Sequence, residues 1–208
     1  MTQDARHYAD DTAAPAPLPA DSDGARPEKA PGLLRRFWSF FSPTIIACGA
    51  ILLINQVFLF YAVVPTGSMK NLIMEGSYIL ANRLAYAQSA VQHGDVIVFS
   101  HEGSDMRMKY LVKRVIGIAG DTIELRDGDV YRNGEKLDES AYVLGRTFPR
   151  NSQTTFTVPD GCVLVFGDNR EGSADARGWA DPYVPVKTIK GKVFCTFSIR
   201  HWYIRKVA

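Results

Sequence analysis

The longest hydrophobic stretch runs from Thr44 to Val64, TIIACGAILLINQVFLFYAVV, 21 residues without a charge and interrupted only by Asn55 and Gln56. At about 1.5 Å per residue a helix of that length reaches about 30 Å, the thickness of a bilayer core. The run therefore predicts a membrane span, and Trp38, Phe40 and Phe41 just before it read as an interfacial aromatic belt. The alternative is a buried core helix, but nothing else in the chain is apolar enough to enclose one. A cleavable signal would place its apolar region near the N-terminus, not after more than forty residues. Ile45-Ile46-Ala47-Cys48 resembles a lipoprotein cleavage box, yet most of the apolar run follows the cysteine.

Beyond Pro65 the hydrophobic period shortens to that of strands. Tyr78 to Leu84, Asp95 to Phe99, Tyr110 to Ile118, Thr122 to Leu125, Asp129 to Arg132, Thr155 to Val158, Cys162 to Phe166 and Lys192 to Ile199 are rich in β-branched and aromatic residues. Asp127-Gly128 and Asn133-Gly134 are tight-turn dipeptides between short strands. Sustained helical periodicity is absent from this part of the sequence. The predicted organisation is a tail over 1–32, a juxtamembrane segment and transmembrane helix over 33–64, and a mainly β, antiparallel domain over 65–208.

Composition alone hides that division. The 208 residues carry 24 Lys+Arg and 22 Asp+Glu, a formal charge of +2, and 46% are hydrophobic, which excludes a polytopic membrane protein. So even a balance argues against nucleic-acid binding driven by bulk charge. Residues 1–32 hold five of the eleven prolines and a charge of −3, leaving +5 for the rest. Such a segment lacks the apolar surface to offset its ordering entropy and reads as a disordered tail. Arg26, Lys29, Arg35 and Arg36 precede the span while only Lys70 closely follows it, so the positive-inside rule puts the tail in the cytoplasm. Three cysteines, with no CxxC or CxxH pair, point neither to a disulfide scaffold nor to a metal site.

Candidate chemistry lies in three segments. Pro65-Thr66-Gly67-Ser68-Met69 stands where the chain leaves the span; taken alone it reads equally as an ordinary Ser/Gly turn. In Tyr110-Leu111-Val112-Lys113-Arg114-Val115-Ile116 the two-residue period sets Lys113 among apolar neighbours and Arg114 on the other face. A lysine so placed either snorkels to water or is desolvated, and desolvation lowers its pKa toward that of a general base. Gly167-Asp168-Asn169-Arg170 through Ser173-Ala174-Asp175-Ala176-Arg177 packs donors, acceptors and both charge signs into one loop; a solvated loop is its ordinary reading. None of the four histidines sits beside a GxSxG elbow.

Taken in order after a membrane span, these boxes resemble bacterial type I signal peptidase, the leader peptidase family of Ser-Lys serine proteases. Gly94-Asp95-Val96-Ile97-Val98-Phe99, Gly117 with Gly120-Asp121, and Tyr183-Val184-Pro185 with Gly191-Lys192 extend the likeness over about residues 45 to 200. The resemblance implies an antiparallel β catalytic domain held at the bacterial inner membrane by one helix, with its N-terminus cytoplasmic. It implies Ser68 as nucleophile, Lys113 as general base, and the Ser68 N–H with the Thr66 hydroxyl as oxyanion hole. Ser173 would orient the lysine, and Asp168, Asn169, Arg170, Asp175 and Arg177 would hold the site's shape, with no metal or cofactor. Exported preproteins cut after small A-x-A-type residues, and the lipid bilayer, would be the partners. A Ser-Lys self-cleaving protease and an inactive anchored β module that binds exported chains are the competing readings. Departures from the family pattern are Lys70-Asn71-Leu72 for the commoner Pro-Thr-Leu, Thr66 for serine, and Glu171-Gly172 for Asp-Asn. Six bases and no acid from Lys187 onward, interleaved with Phe194, Trp202 and Tyr203, add a candidate contact for anionic lipid.

Overall fold

The computed structural model describes residues 32–101 and 110–207, so nearly all of the predicted tail lies outside the described residues. The chain divides into two compact units at Ile45–Ile46. Helix α1 (Leu33–Val57) begins in the first and ends in the second. Its segment Phe37–Ile54 has a mean hydropathy of 1.9 and is unburied, long and apolar enough to cross a membrane.

The helix does not extend to Val64 as the uncharged run predicts. Phe58 N–H closes its last turn on the Ile54 carbonyl, and β1 (Leu59–Val63) follows at once. β1 pairs antiparallel with β2 (Tyr78–Asn82), Phe60 against Ala81 and Ala62 against Ile79. Strand alternation explains the switch: Phe60 is buried and edge-on to the Tyr110 ring at 5.2 Å, while Tyr61 and Val63 face outward. Hydrophobicity alone does not separate a helix from a strand that follows without a polar break.

Next in the second unit come β3 (Val96–Phe99), β4 (Leu111–Ile118), β5 (Thr122–Arg126), β6 (Asp129–Arg132) and β7 (Glu135–Lys136). They are followed by β8 (Thr155–Thr157), β9 (Cys162–Phe166), β10 (Tyr183–Pro185), β11 (Ile189–Ser198) and β12 (Tyr203–Lys206). An eight-stranded sheet has the order β1-β2-β11-β3-β4-β9-β10, with β12 also on β11; a four-stranded sheet has the order β7-β6-β5-β8. The pairings between these strands are antiparallel, as the sequence predicts, and an isolated bridge between Leu144 and Asn169 is parallel. Asp127-Gly128 and Asn133-Gly134 have φ of 54°/83° and 53°/87°, the positive pair that a two-residue hairpin turn needs.

Three apolar clusters fill the domain. Met69, Ile73, Ile79, Val96 and Val98 pack beneath β1 and β2. Ile97, Phe99, Val115, Val163 and Val165 pack in a second cluster of the large sheet. Ile116, Ile123, Phe156, Leu164 and Phe166 join β4 and β9 to the small sheet. Met69 and Phe166 therefore anchor in the core the two segments that carry the candidate chemistry.

Candidate active site

Leaving β1, the chain is clamped where Val64 N–H donates to the Ser77 carbonyl and Gly76 N–H to the Val64 carbonyl, both at 2.8 Å. Between these ties Gly67–Met69 forms one 3-10 turn, closed by Lys70 N–H on the Gly67 carbonyl at 3.0 Å. Gly67 does not adopt positive φ, so the turn itself makes no demand for glycine there. The next residue that does is Asn71, at φ 115°; asparagine is among the few side chains that tolerate such backbone. Its amide donates to the Tyr142 carbonyl at 3.1 Å and its carbonyl accepts from Arg205 at 2.9 Å. That gives the departure at Lys70-Asn71 a local structural role.

The Lys113 Nζ donates to Ser68 Oγ at 2.8 Å, and both side chains are buried. Burial in the β4 environment outweighs the pull of Asp175 and Asp168, with Arg177 adding repulsion, and lowers the lysine to about 8. Of the two fates open to this strand lysine, the structure has desolvation. Thr66 Oγ1 lies 3.5 Å from Ser68 Oγ, so the two hydroxyls share one side of the turn. A cleft of about 200 Å³ opens beside them, lined by Ala62 to Thr66, Ser68, Val98 and Tyr110 to Lys113.

The third segment grips this pair from below. Asp168 accepts two bonds from Arg114 at 2.8 Å each, and Arg114 also donates to the Gly94 carbonyl and lies 4.1 Å over the Tyr142 ring. Burial nevertheless pushes the Asp168 carboxyl up. Asp175 takes Arg177 Nε at 2.7 Å, Arg177 Nη2 at 2.9 Å and Gly167 N–H at 2.9 Å; these donors overcome its burial and hold its carboxyl down. Arg170 bonds the Gly167 carbonyl, the Thr147 hydroxyl and both oxygens of Glu139. Asn169 binds the Gly67–Met69 turn directly, its N–H to the Ser68 carbonyl and its Nδ2 to the Gly67 carbonyl, both at 3.0 Å.

Close approach explains two glycines here. A Cβ on Gly167 would sit 2.2 Å from Ser173 Oγ and 2.5 Å from the Ser68 carbonyl oxygen. On Gly172 it would sit 2.4 Å from Asn169 Nδ2, so the Glu171-Gly172 departure reaches the site and is more than a surface change. Ser173 is fully buried against Gly167, and its hydroxyl helps to hold the Asp175 carboxyl down. The amine it is expected to hold is bonded to Ser68 instead.

A family model described as signal peptidase, peptidase S26, matches residues 37–198. The chain belongs to the signal peptidase family. A signal peptidase I of Bacillus caldolyticus is 33% identical over 184 residues, covering 83% of this chain and 93% of that protein. A probable signal peptidase I-1 of Synechocystis is 31% identical over 176 residues, covering 79% and 87%. The crystal structure of a signal peptidase I from Enterococcus faecalis V583 aligns at 29% identity over 50% of this chain and 97% of that one, with a TM-score of 0.36. With its apolar helix, this signal peptidase is membrane-anchored.

Among the described residues of this signal peptidase, the other candidate groups are engaged elsewhere. His93 Nε2 pairs with Asp121 at 2.6 Å, but Asp121 otherwise accepts from Ile118 N–H and Asn133, and no serine hydroxyl bonds that ring among the described residues. His101 stacks on Trp179 with centroids 4.0 Å apart. A larger cleft of about 560 Å³ between Gly128 and Thr147 contains Ser140 and Lys136, but these are bound to Asp138 and Asp129. Cys48, Cys162 and Cys195 are free thiols. Among the described residues no three His, Cys, Asp or Glu side chains converge on a metal position.

Glu139 and Tyr142 escaped the sequence reading. Both lie in a polar stretch with no motif, and only the fold brings that stretch against Arg170 and Arg114.

Proposed function

We propose that this signal peptidase cleaves signal peptides from exported preproteins with a Ser-Lys dyad, Ser68 as nucleophile and Lys113 as general base. The 2.8 Å Nζ–Oγ contact, with the lysine depressed to about 8, is the observation that carries this reading. Neutral Lys113 takes the Oγ proton as Oγ bonds the scissile carbonyl carbon and the carbonyl π pair moves onto oxygen. The Ser68 N–H and the Thr66 hydroxyl meet that oxyanion, a contribution of about 3 kcal/mol per donor. Lys113 returns the proton to the leaving amine, and water then hydrolyses the acyl-enzyme. As the acylated Oγ turns from the amine, the buried Ser173 hydroxyl beside Asp175 offers it an acceptor. Asp168, Arg170, Asp175 and Arg177 keep the walls in place without bond making.

Specificity for small residues before the cut fits the modest volume and aliphatic lining of the cleft. Among the described residues β1 pairs with β2 alone, and its other edge, whose residues line that cleft, can receive an extended peptide as an added strand. The basic flank before the apolar span Phe37–Ile54 supports a cytoplasmic N-terminus, with the catalytic domain and its basic β11–β12 region on the outer face of a bacterial plasma membrane. In-vitro processing of a preprotein tests the proposal: Ser68→Ala and Lys113→Ala abolish cleavage, and normal cleavage by either variant refutes the dyad. An inactive binding module is the second reading; covalent labelling of Ser68 in the wild type by a peptide-directed acylating inhibitor separates it.

A further inference from the structure

The peptide unit joining Gly67 to Ser68 is held by its carbonyl end. That oxygen accepts two donors, Lys70 N–H and Asn169 Nδ2, each at 3.0 Å. A trans peptide is planar, and its C=O and N–H point in opposite directions. Fixing where the Gly67 carbonyl points therefore fixes where the Ser68 N–H points. Donation to a carbonyl also polarises the amide and strengthens its N–H as a donor, by about 10–30% per bond.

Asn169 is itself firmly placed. Its Oδ1 accepts from Gly172 N–H at 3.2 Å, which leaves Nδ2 as the atom facing Gly67. Its backbone N–H holds the Ser68 carbonyl, so the side chain and main chain of one residue grip two successive carbonyls of the nucleophile turn. On either side, Leu144 N–H donates to the Asp168 carbonyl at 2.7 Å and Arg170 N–H to the Leu144 carbonyl at 2.9 Å. The bare Cα of Gly172 leaves just the room the amide occupies.

From this we infer that Asn169 is a positioning residue for the oxyanion hole, setting the aim and donor strength of the Ser68 N–H through the Gly67–Ser68 peptide. The inference rests on the reading of Ser68 as nucleophile. It also assigns Gly172 a part, as the residue that lets the Asn169 amide face Gly67.

The test compares a peptide aldehyde with the matching peptide alcohol as inhibitors. Ser68 Oγ adds to the aldehyde carbon, the Oγ proton passes to Lys113, and the former carbonyl oxygen becomes an anion in the hole; the alcohol forms no such bond. For Asn169→Ala the expected result is a fall of about thirtyfold in kcat, less than the about 10²–10³ for outright loss of a donor, with KM within about twofold. Aldehyde affinity falls by the same factor, alcohol affinity holds, and the apparent pKa of the rate profile is unchanged. Gly172→Ala, which crowds Nδ2 without deleting it, shows the same pattern more weakly and decides the matter if Asn169→Ala does not fold. Equal losses for aldehyde and alcohol, a shifted pKa, or an unchanged kcat overturn the inference. If the wild type neither cleaves a preprotein nor distinguishes aldehyde from alcohol, the Ser-Lys reading fails instead.

Discussion

Around Ser68 the protein buries charge, whereas along α1, β1 and β12 it exposes hydrocarbon. Lys113, Arg114, Asp168, Arg170, Asp175 and Arg177 are all at most 4% exposed, while Tyr61, Trp202 and Ile204 are 70–89% exposed. Both arrangements oppose the hydrophobic effect, and each is tolerable only with a compensating partner. Inside, the partners are present: each aspartate has its arginine, and the lysine is bonded to the serine and feels Asp175 and Asp168. Outside, the apolar length of α1 is what a membrane span requires.

Removing the buried amine gives the largest effect. Lys113→Met lowers kcat/KM by at least about 10⁴-fold yet raises stability near neutral pH. A lysine held at about 8 when folded and near 10.5 when unfolded destabilises the fold by about 3 kcal/mol below pH 8, and this cost disappears as pH rises toward 10.5. Denaturant melts at pH 7 and pH 10 check it: wild type gains on Met between the lower and the higher pH.

Breaking a paired charge acts in the opposite sense. Asp168→Ala strands the Arg114 guanidinium and costs about 3–5 kcal/mol, read as a lowered urea midpoint; an unchanged midpoint would mean the pair is solvated after all. Next in size is the pH profile of the intact enzyme. With the base near 8, kcat/KM rises about tenfold from pH 7 to pH 9, and a flat profile removes Lys113 as the base. Smallest for the fold are the exposed positions: Trp202→Ala and Arg205→Ala change stability by no more than about 0.5 kcal/mol. Sedimentation with anionic vesicles weakens about fivefold on losing Arg205, the worth of one basic residue near a charged surface.

The interior half of this contrast was the more legible in sequence. A lysine within a β-branched strand and a serine in a short Pro-Thr-Gly-Ser turn are local signals, and the strands around them follow from alternation. Glu139 was not legible, because its meeting with Arg170 spans 31 residues and neither side has a period. β1 was hidden because its alternation of Phe60 and Tyr61 continues a helix of the same composition. Gly172 carries no local signal either, because only the fold sets the Asn169 amide against it.

The place of β11 has a further consequence, for timing. Ser68 follows β1 and Lys113 lies on β4, and the sheet joins β1–β2 to β3–β4 through β11, whose residues begin at Ile189. A growing chain can therefore expose both Ser68 and Lys113 for the synthesis of some seventy-five further positions without possessing the sheet that brings them together. The strand pairs that carry Ser68 and Lys113 thus become one sheet only when a late strand is in place, a contact of long sequence separation that is slow to form.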